Sequence, residues 1–285
     1  MKKINDLMLA TDFSSCADNA LDYAAMIARA SQSKLILLNV FEVPVMAPVN
    51  VFTTLEDTVH VVTKEMRTSA NTNLRKRQAS LDDLSVDVQI AEGNAAQVIK
   101  EQVHIHQPDL LLMGTRGASA NRGLFMGSTA AAVMREASCP LLAVPQDARA
   151  TRISRVAYAT DLKYDETDVL EYLVKFAAMF NAEVVILHID RRFAESEWSL
   201  DLMQDLKANV ADDKMIYREV VNDDVLEGIN DFVKEGGVDL LATTTSNTSF
   251  FERLMFKSVT RELLMHSEIP MMVFNRKKHD LIFFT

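Results

Sequence analysis

Short apolar runs alternate with amphipathic helical patterns along the first half of the chain. The apolar runs predict five strands, over residues 4–11, 34–40, 85–91, 109–114 and 140–145. The amphipathic stretches predict four helices, over residues 15–31, about 56–80, 95–106 and 128–137. Continuously apolar strands that alternate with helices are typical of a parallel sheet with helices on both faces. Because the crossovers in such sheets are right-handed, we predict an α/β fold with a doubly wound parallel sheet.

The same pattern is present twice. Residues 4–12 (INDLMLATD) are matched by residues 153–161 (ISRVAYATD), an offset of 149 positions from 4 to 153. Later the offset falls to 130, where 109–111 (DLL) is matched by 239–241 (DLL). A repeat of this length indicates a duplicated domain, since solenoid repeats run about 20–50 residues. We predict one domain over 1–147, a second over 151–276, and a tail over 277–285.

Composition narrows the class of protein. A chain of 285 residues with 48% hydrophobic and 25% charged residues is long enough for two domains with separate cores. The net charge of -10 disfavours nucleic acid or an anionic membrane as a partner. Asn5 and Asp6, rather than an apolar segment, come after Lys2 and Lys3, so no secretory signal is evident, and no apolar run approaches the roughly 18–20 residues of a membrane span. We therefore expect a soluble, cytoplasmic protein.

The two cysteines, Cys16 and Cys139, are far apart and lack the spacing of metal ligands. Buried free thiols are a better interpretation of both than a redox pair.

Glycine is concentrated in one short window, because four of the eight glycines fall between positions 114 and 127. A predicted strand ends at the start of this window, and a predicted helix begins after it at Ser128. Glycines at a strand end allow backbone N–H groups to approach an anion, and a helix N-terminus favours negative charge. The window therefore predicts a phosphate-binding loop. A glycine-rich surface loop, capped by Ser128, is the alternative.

The window matches neither of the two commonest nucleotide motifs. A P-loop requires Lys where this chain has Gly127, and the G-x-G-x-x-G fingerprint is absent. The spacing G-x2-G-x9-G-[S/T], together with a first strand that ends in Ala10-Thr11-Asp12, resembles the ATP-binding universal stress proteins. The resemblance covers nearly the whole chain, in two copies. It implies two tandem Rossmann-like domains, similar to the adenine nucleotide alpha hydrolases, each with strand order 3-2-1-4-5.

The resemblance also implies the positions of the ligand-binding residues. Thr11, Asp12 and Val40 would line the adenosine pocket, Val40 through its backbone, and Met113 would lie beside the base. The phosphates of ATP would be held by Gly114, Gly117, Gly127, Ser128 and Thr129. Mg²⁺ would be carried mainly by phosphate oxygens and water, without a protein cage.

For Asp12 and for the two arginines of the glycine window, the sequence leaves more than one role open. Asp12 could instead cap the helix over 15–31, and Asp161 repeats its position in the second copy. Arg116 and Arg122 could add positive charge to the phosphate loop, or could be solvated surface residues.

The second copy departs from the glycine pattern. Thr244, Asn247 and Lys257 stand where the first copy has its three spaced glycines, and only Ser258 is retained, opposite Ser128. We interpret the second domain as unable to bind ATP in the manner of the family. Whether it binds another ligand or serves only as a structural partner stays open.

The leading hypothesis is a regulatory or stress-response module that binds ATP as a ligand. The alternatives are a slow ATPase or nucleotidyl-transfer enzyme, and a structural dimerisation protein with a vestigial site. We expect binding rather than catalysis, because the 114–129 window contains no His, Glu or Lys, and no S-G-G-x-D-S pyrophosphate loop follows the first strand. The expected partners are an adenine nucleotide and the second domain, paired through strands 140–145 and 270–274 in a pseudo-dimer. A homodimer of whole chains stays open.

Overall fold

The computed structural model describes residues 4–43, 55–117, 127–161, 166–190, 214–245 and 269–275. The chain divides into two compact units, one over residues 4–146 and the other from residue 147 onward. Each unit is an α/β layer structure built on its own run of parallel strands.

The first unit contains five parallel strands in the order β3-β2-β1-β4-β5. The strands are β1 (Asp6–Ala10), β2 (Lys34–Phe41), β3 (Val86–Glu92), β4 (Leu110–Gly114) and β5 (Leu141–Val144). The helices are α1 (Ser15–Ser31), α2 (Leu55–Ala79), α3 (Ala95–His106) and α4 (Ser128–Glu136). The predicted fold class and the predicted strand order 3-2-1-4-5 are confirmed. The element limits differ from the predicted ones by a few residues at strand and helix ends.

The second unit repeats this order as β8-β7-β6-β9-β10. Its described elements are β6 (Arg155–Ala159), α5 (Thr167–Ala178), β7 (Glu183–Asp190), β8 (Met215–Val221), α6 (Val225–Glu235), β9 (Leu240–Thr245) and β10 (Met271–Asn275). The pairing of strands 140–145 and 270–274 with each other stays a prediction.

The central strands are buried because helices cover both of their faces. Leu7, Met8 and Leu9 of β1 are consecutive, and none is exposed to solvent. Helix α1 lies against β4 with a stripe of small residues, including Ala20, Ala24 and Ala28, which are also fully buried. Small side chains allow the helix to approach the sheet closely. The loops at the carboxyl ends of β1 and β4 come near each other because these two strands pair directly in parallel.

One carboxylate in each unit fixes the two strands that flank the site. Asp109, just before β4, accepts hydrogen bonds from the backbone N–H groups of Asn5 (2.8 Å) and Asp6 (3.1 Å). Asp239, just before β9, accepts the equivalent bonds from Ser154 and Arg155. The first and fourth strands of each unit are thereby tied together at their starts, which sets the relative height of their carboxyl ends.

Both cysteines are buried free thiols, as predicted. Burial raises the pKa of Cys139 to about 12, so this residue is a protonated, unreactive part of the core at neutral pH. Among the helices of the described residues, none combines the length and the apolar character needed to cross a membrane.

Candidate functional site

The end of β1 forms a tightly bonded loop. Thr11 is buried, and its hydroxyl oxygen accepts a hydrogen bond from the Phe13 N–H at 3.1 Å. Asp12 Oδ1 accepts from both the N–H (3.1 Å) and the hydroxyl (2.6 Å) of Ser14. Ser14, rather than Asp12, is the N-cap of α1, because its hydroxyl oxygen accepts from the Ala17 N–H at 3.2 Å. Asp12 therefore supports the capping residue instead of capping the helix itself.

Strand β2 supports this loop from the side. The side-chain amide of the buried Asn39 donates to the Thr11 carbonyl at 2.8 Å. In the second unit His188 occupies the same position, and its Nδ1 lies 3.1 Å from the Thr160 carbonyl. Since a carbonyl oxygen only accepts, Nδ1 must carry the proton in this contact. Asn39 was missed in the sequence, although a polar residue within the apolar run LILLNV was a signal for it.

Val40 and Met113 lie on the strands to either side of β1. Ala10 pairs with Leu38 of β2, so Val40, two residues further along, comes level with Asp12. Met113 pairs directly with Ala10 and is buried. Both residues are therefore at the carboxyl edge of the sheet, next to the end of β1.

Gly114 ends β4 and lies against the first turn of α1. A Cβ added to Gly114 would come within 2.9 Å of Cys16 Sγ, 3.0 Å of the Cys16 carbonyl carbon and 3.1 Å of Ala17 N. Two of these are backbone atoms, which cannot move away without displacing the helix. Close packing of β4 on α1 is thus a sufficient physical reason for glycine at this position, separate from the predicted phosphate contact.

Gly117 faces the Asp12 carboxylate. A Cβ added to Gly117 would lie only 2.7 Å from Asp12 Oδ2. Any side chain at position 117 would therefore push the carboxylate out of its place. Two residues of the predicted site, Asp12 and Gly117, are thus in contact although they are about a hundred positions apart in the sequence.

The segment between β4 and α4 is held by backbone hydrogen bonds near its two ends. Thr115 N–H donates to the Val144 carbonyl (2.9 Å), and Gly127 N–H donates to the Thr115 carbonyl (2.8 Å). The Gly127 N–H is therefore engaged within the protein and is not directed at a ligand. Residues 118–126, including Arg122, lie outside the described residues.

Gly127 is the N-cap of α4, and this helix has no side-chain cap. Helices α1, α3 and α6 are capped by the side chains of Ser14, Asn94 and Asp224. Ser128 is exposed and Thr129 half-buried, at the first two positions of α4. The first N–H groups of a helix have no partner within it, so an uncapped start can bind an anion.

The structure thus brings three predicted residues into one continuous row. Asp12 lies beside Gly117, and the backbone of Gly117 lies beside Gly127, since a Cβ on Gly127 would be 3.8 Å from Gly117 N. The row runs along the carboxyl edge of the sheet, from the end of β1 to the start of α4. Parallel α/β sheets bind ligands at this edge, where the direction of winding changes.

The second unit fills the corresponding place with a buried carboxyl group. Glu166 is 4% exposed, and its oxygens accept hydrogen bonds from the hydroxyls of Thr160, at the end of β6, and Thr244, on β9. Thr244 stands at the position of Gly114. Burial raises the pKa of Glu166 above its ordinary value, and the nearby Asp161 carboxylate raises it further. No sequence pattern pointed to Glu166.

Within the described residues, no group of three or more His, Cys, Asp or Glu side chains is arranged to hold a metal ion.

Comparisons with known proteins agree with this duplicated architecture. The model of the universal stress protein family matches residues 3–145 and again residues 152–275. A universal stress protein from Thermus aquaticus, encoded in the QAH/OAS sulfhydrylase 3' region, is 40% identical over 58 residues. That match spans 20% of this chain and 42% of the relative's length.

Two solved structures resemble nearly the whole chain in fold. The crystal structure of a universal stress protein from Archaeoglobus fulgidus has a TM-score of 0.72 at 16% identity, and covers 96% of this chain and 100% of its own. A functionally unknown protein from Pseudomonas aeruginosa PAO1 has a TM-score of 0.59 at 16% identity, with coverage of 98% and 96%. At these identities the likeness concerns the fold alone. Because the family model matches both halves, the chain belongs to the universal stress protein family, as a tandem protein with two family domains.

Proposed function

We propose that this protein is a nucleotide-dependent regulatory module of the stress response, which binds ATP in its first domain. The observation that carries the proposal is the continuous row of Asp12, Gly117 and Gly127 along the carboxyl edge of the first sheet. One end of this row offers a carboxylate. The other offers the uncapped start of α4. ATP complements both ends of the row, because its nucleoside carries hydrogen-bond donors for the carboxylate and its phosphates carry negative charge for the start of the helix.

The nucleoside would lie at the β1 end. Hydroxyl or amino groups of adenosine would donate to Asp12, Val40 would contact the nucleoside through its backbone, and Met113 would lie beside the base. The hydroxyl and carbonyl oxygens of Thr11 accept hydrogen bonds within the protein, and the hydroxyl hydrogen can still be donated to the nucleoside.

The phosphates would lie at the α4 end, where the first amides of the helix and the hydroxyls of Ser128 and Thr129 can donate. Gly114 and Gly117 would keep the approach free of side chains. Mg²⁺ would arrive with the triphosphate, with its ligands supplied by phosphate oxygens and water.

Asp12 should contribute to the binding of ATP and adenosine, which contain the nucleoside, and not to the binding of tripolyphosphate, which lacks it. Asp12→Asn keeps an oxygen for Ser14 but removes the charge, so we expect ATP and adenosine to bind about tenfold to a hundredfold more weakly, as for a lost charged hydrogen bond. Isothermal titration with ATP, adenosine and inorganic tripolyphosphate measures this. Ser128→Ala is the matched variant at the other end, and should weaken ATP and tripolyphosphate but not adenosine. Equal affinity of wild type and Asp12→Asn for adenosine would contradict the proposal.

Turnover should be slow. Rapid phosphoryl transfer needs a positioned water and stabilisation of the transition-state charge, and the 114–129 window has no His, Glu or Lys. We therefore expect single-turnover hydrolysis well below the ~1–100 s⁻¹ typical of kinases. A rate within that range, measured on protein freed of contaminating ATPases, would favour the enzyme instead. If freshly purified protein neither retains nor binds adenine nucleotide, the structural dimerisation protein becomes the better hypothesis.

A further inference from the structure

Arg77, on α2, contacts the β1–α1 loop from outside the predicted nucleotide site. Its side chain is only 15% exposed, although arginine usually extends into solvent. The guanidinium carbon lies 4.8 Å from the centre of the Phe13 ring, and Nη2 lies 3.5 Å from the Phe13 carbonyl oxygen. The guanidinium also pairs with Asp18 in the first turn of α1, at 2.6 Å. One side chain therefore connects α2, the loop and α1.

Phe13 needs such restraint because of its backbone conformation. Its φ is 66°, in the left-handed region that bulky residues rarely adopt. Conformations of this kind persist only where the surroundings enforce them. Two groups do so here, since Thr11 accepts the Phe13 N–H while Arg77 covers its ring and approaches its carbonyl group.

The conformation of Phe13 controls the position of Asp12. The Asp12 carboxylate reaches across Phe13 to accept hydrogen bonds from Ser14 while Phe13 is in its left-handed conformation. Because Phe13 joins the two bonded residues, a change in its backbone would shift Asp12 relative to both Ser14 and Gly117.

We propose that Arg77 is a positioning residue of the adenosine site, which holds Asp12 ready for the nucleoside by fixing Phe13. The inference rests on the proposed function. It is consistent with the asymmetry of the two copies, because the second has Leu162 and Thr167 where the first has Phe13 and Asp18. Neither residue can replace the aromatic ring or the carboxylate that Arg77 contacts.

The test compares Arg77→Met, which keeps the apolar stem, with Arg77→Lys, which also keeps a charge. Arg29→Met is the matched control, since Arg29 pairs with Asp83 at the other end of α1. For Arg77→Met we expect affinities for ATP and adenosine to fall by the same factor, about fivefold to tenfold, and that for tripolyphosphate to stay unchanged. Arg77→Lys should recover part of the loss, because lysine also forms cation–π contacts. Arg29→Met should bind all three ligands like wild type.

Two further measurements separate positioning from general stability. In the ligand-free protein, hydrogen exchange at the Phe13 and Ser14 amides should become faster in Arg77→Met and not in Arg29→Met. In an Asp12→Asn background, Arg77→Met should weaken adenosine little further, because both changes act through the same carboxylate.

The outcomes distinguish this inference from the proposed function. If wild type binds ATP and adenosine and Arg77→Met binds them equally well, only the positioning role is wrong. If Arg77→Met weakens tripolyphosphate as well, Arg77 acts on the phosphates or on the fold, and the inference is again wrong. If wild type binds neither nucleotide nor nucleoside, the proposed function fails, and this inference fails with it.

Discussion

Gly127→Asp should abolish ATP binding while leaving the free protein slightly more stable. The backbone at Gly127 has φ −67° and ψ 151°, which any residue can adopt, and an added Cβ would make only ordinary contacts at 3.7 and 3.8 Å. Aspartate is among the best N-cap residues, and its charge complements the helix dipole by about 0.3–1 kcal/mol. The same carboxylate would stand where we expect the phosphates.

The expected loss of affinity is large. Two like charges about 4 Å apart repel by about 4 kcal/mol at an effective dielectric constant of 20, and every 1.4 kcal/mol is a tenfold change in affinity. Titration calorimetry and thermal unfolding measure the two opposite effects on one sample. A destabilised variant could lose ATP binding merely by unfolding. Because Gly127→Asp should be more stable than wild type, its loss of ATP binding could not be attributed to unfolding.

A matched control lies in the same domain. Asn94→Asp introduces the same charge at the N-cap of α3, where Asn94 already accepts from the Gln97 N–H. We expect this variant to bind ATP like wild type. Gly127→Val adds a steric test without charge, and should also lose ATP. Tight ATP binding by Gly127→Asp would show that the phosphates do not lie at the start of α4.

Patterns local in sequence are sufficient to predict the fold class and the helices and strands of the first unit. The strands of the first unit are short, apolar and separated by amphipathic helices, so their number and approximate limits follow from periodicity alone. The repeat then extended the same arrangement to the second half. The strand order did not follow from periodicity, and came instead from the resemblance carried by the glycine spacing and by Thr11 and Asp12.

What the sequence could not predict depends on side chains that meet across the sheet. The sequence suggests a phosphate-binding loop or a surface loop around Gly114, and neither explains the close contact with Cys16 that excludes a side chain there without any ligand. Arg77 is one of several basic residues at the end of α2, and nothing local distinguishes it from the others. Its contact with Phe13 exists only because α2 and α1 lie near each other on the sheet.

Glu166 is a further residue of this kind, and it leads to a prediction for the second domain. Its folded-state pKa is raised, mainly by burial, so the folded protein binds the proton more tightly than the unfolded chain does. The stability from this group is complete below the unfolded pKa of about 4.5, and is lost as pH rises through the folded pKa. Wild type should therefore become less stable across that window.

Glu166→Gln should remove this dependence, because glutamine resembles the protonated acid and can still bond to Thr160 and Thr244. We expect the variant to match wild type near pH 4.5 and to be the more stable of the two at pH 7, by a margin that grows with pH, because only the wild-type side chain acquires a buried charge. Calorimetric unfolding of both proteins from pH 4.5 to 8 gives the difference directly. Glu171→Gln is the control on the same helix, where a partly exposed i,i+4 ion pair with Lys175 should contribute little at any pH. A difference between Glu166→Gln and wild type that does not change with pH would show that Glu166 is already ionised in the folded domain.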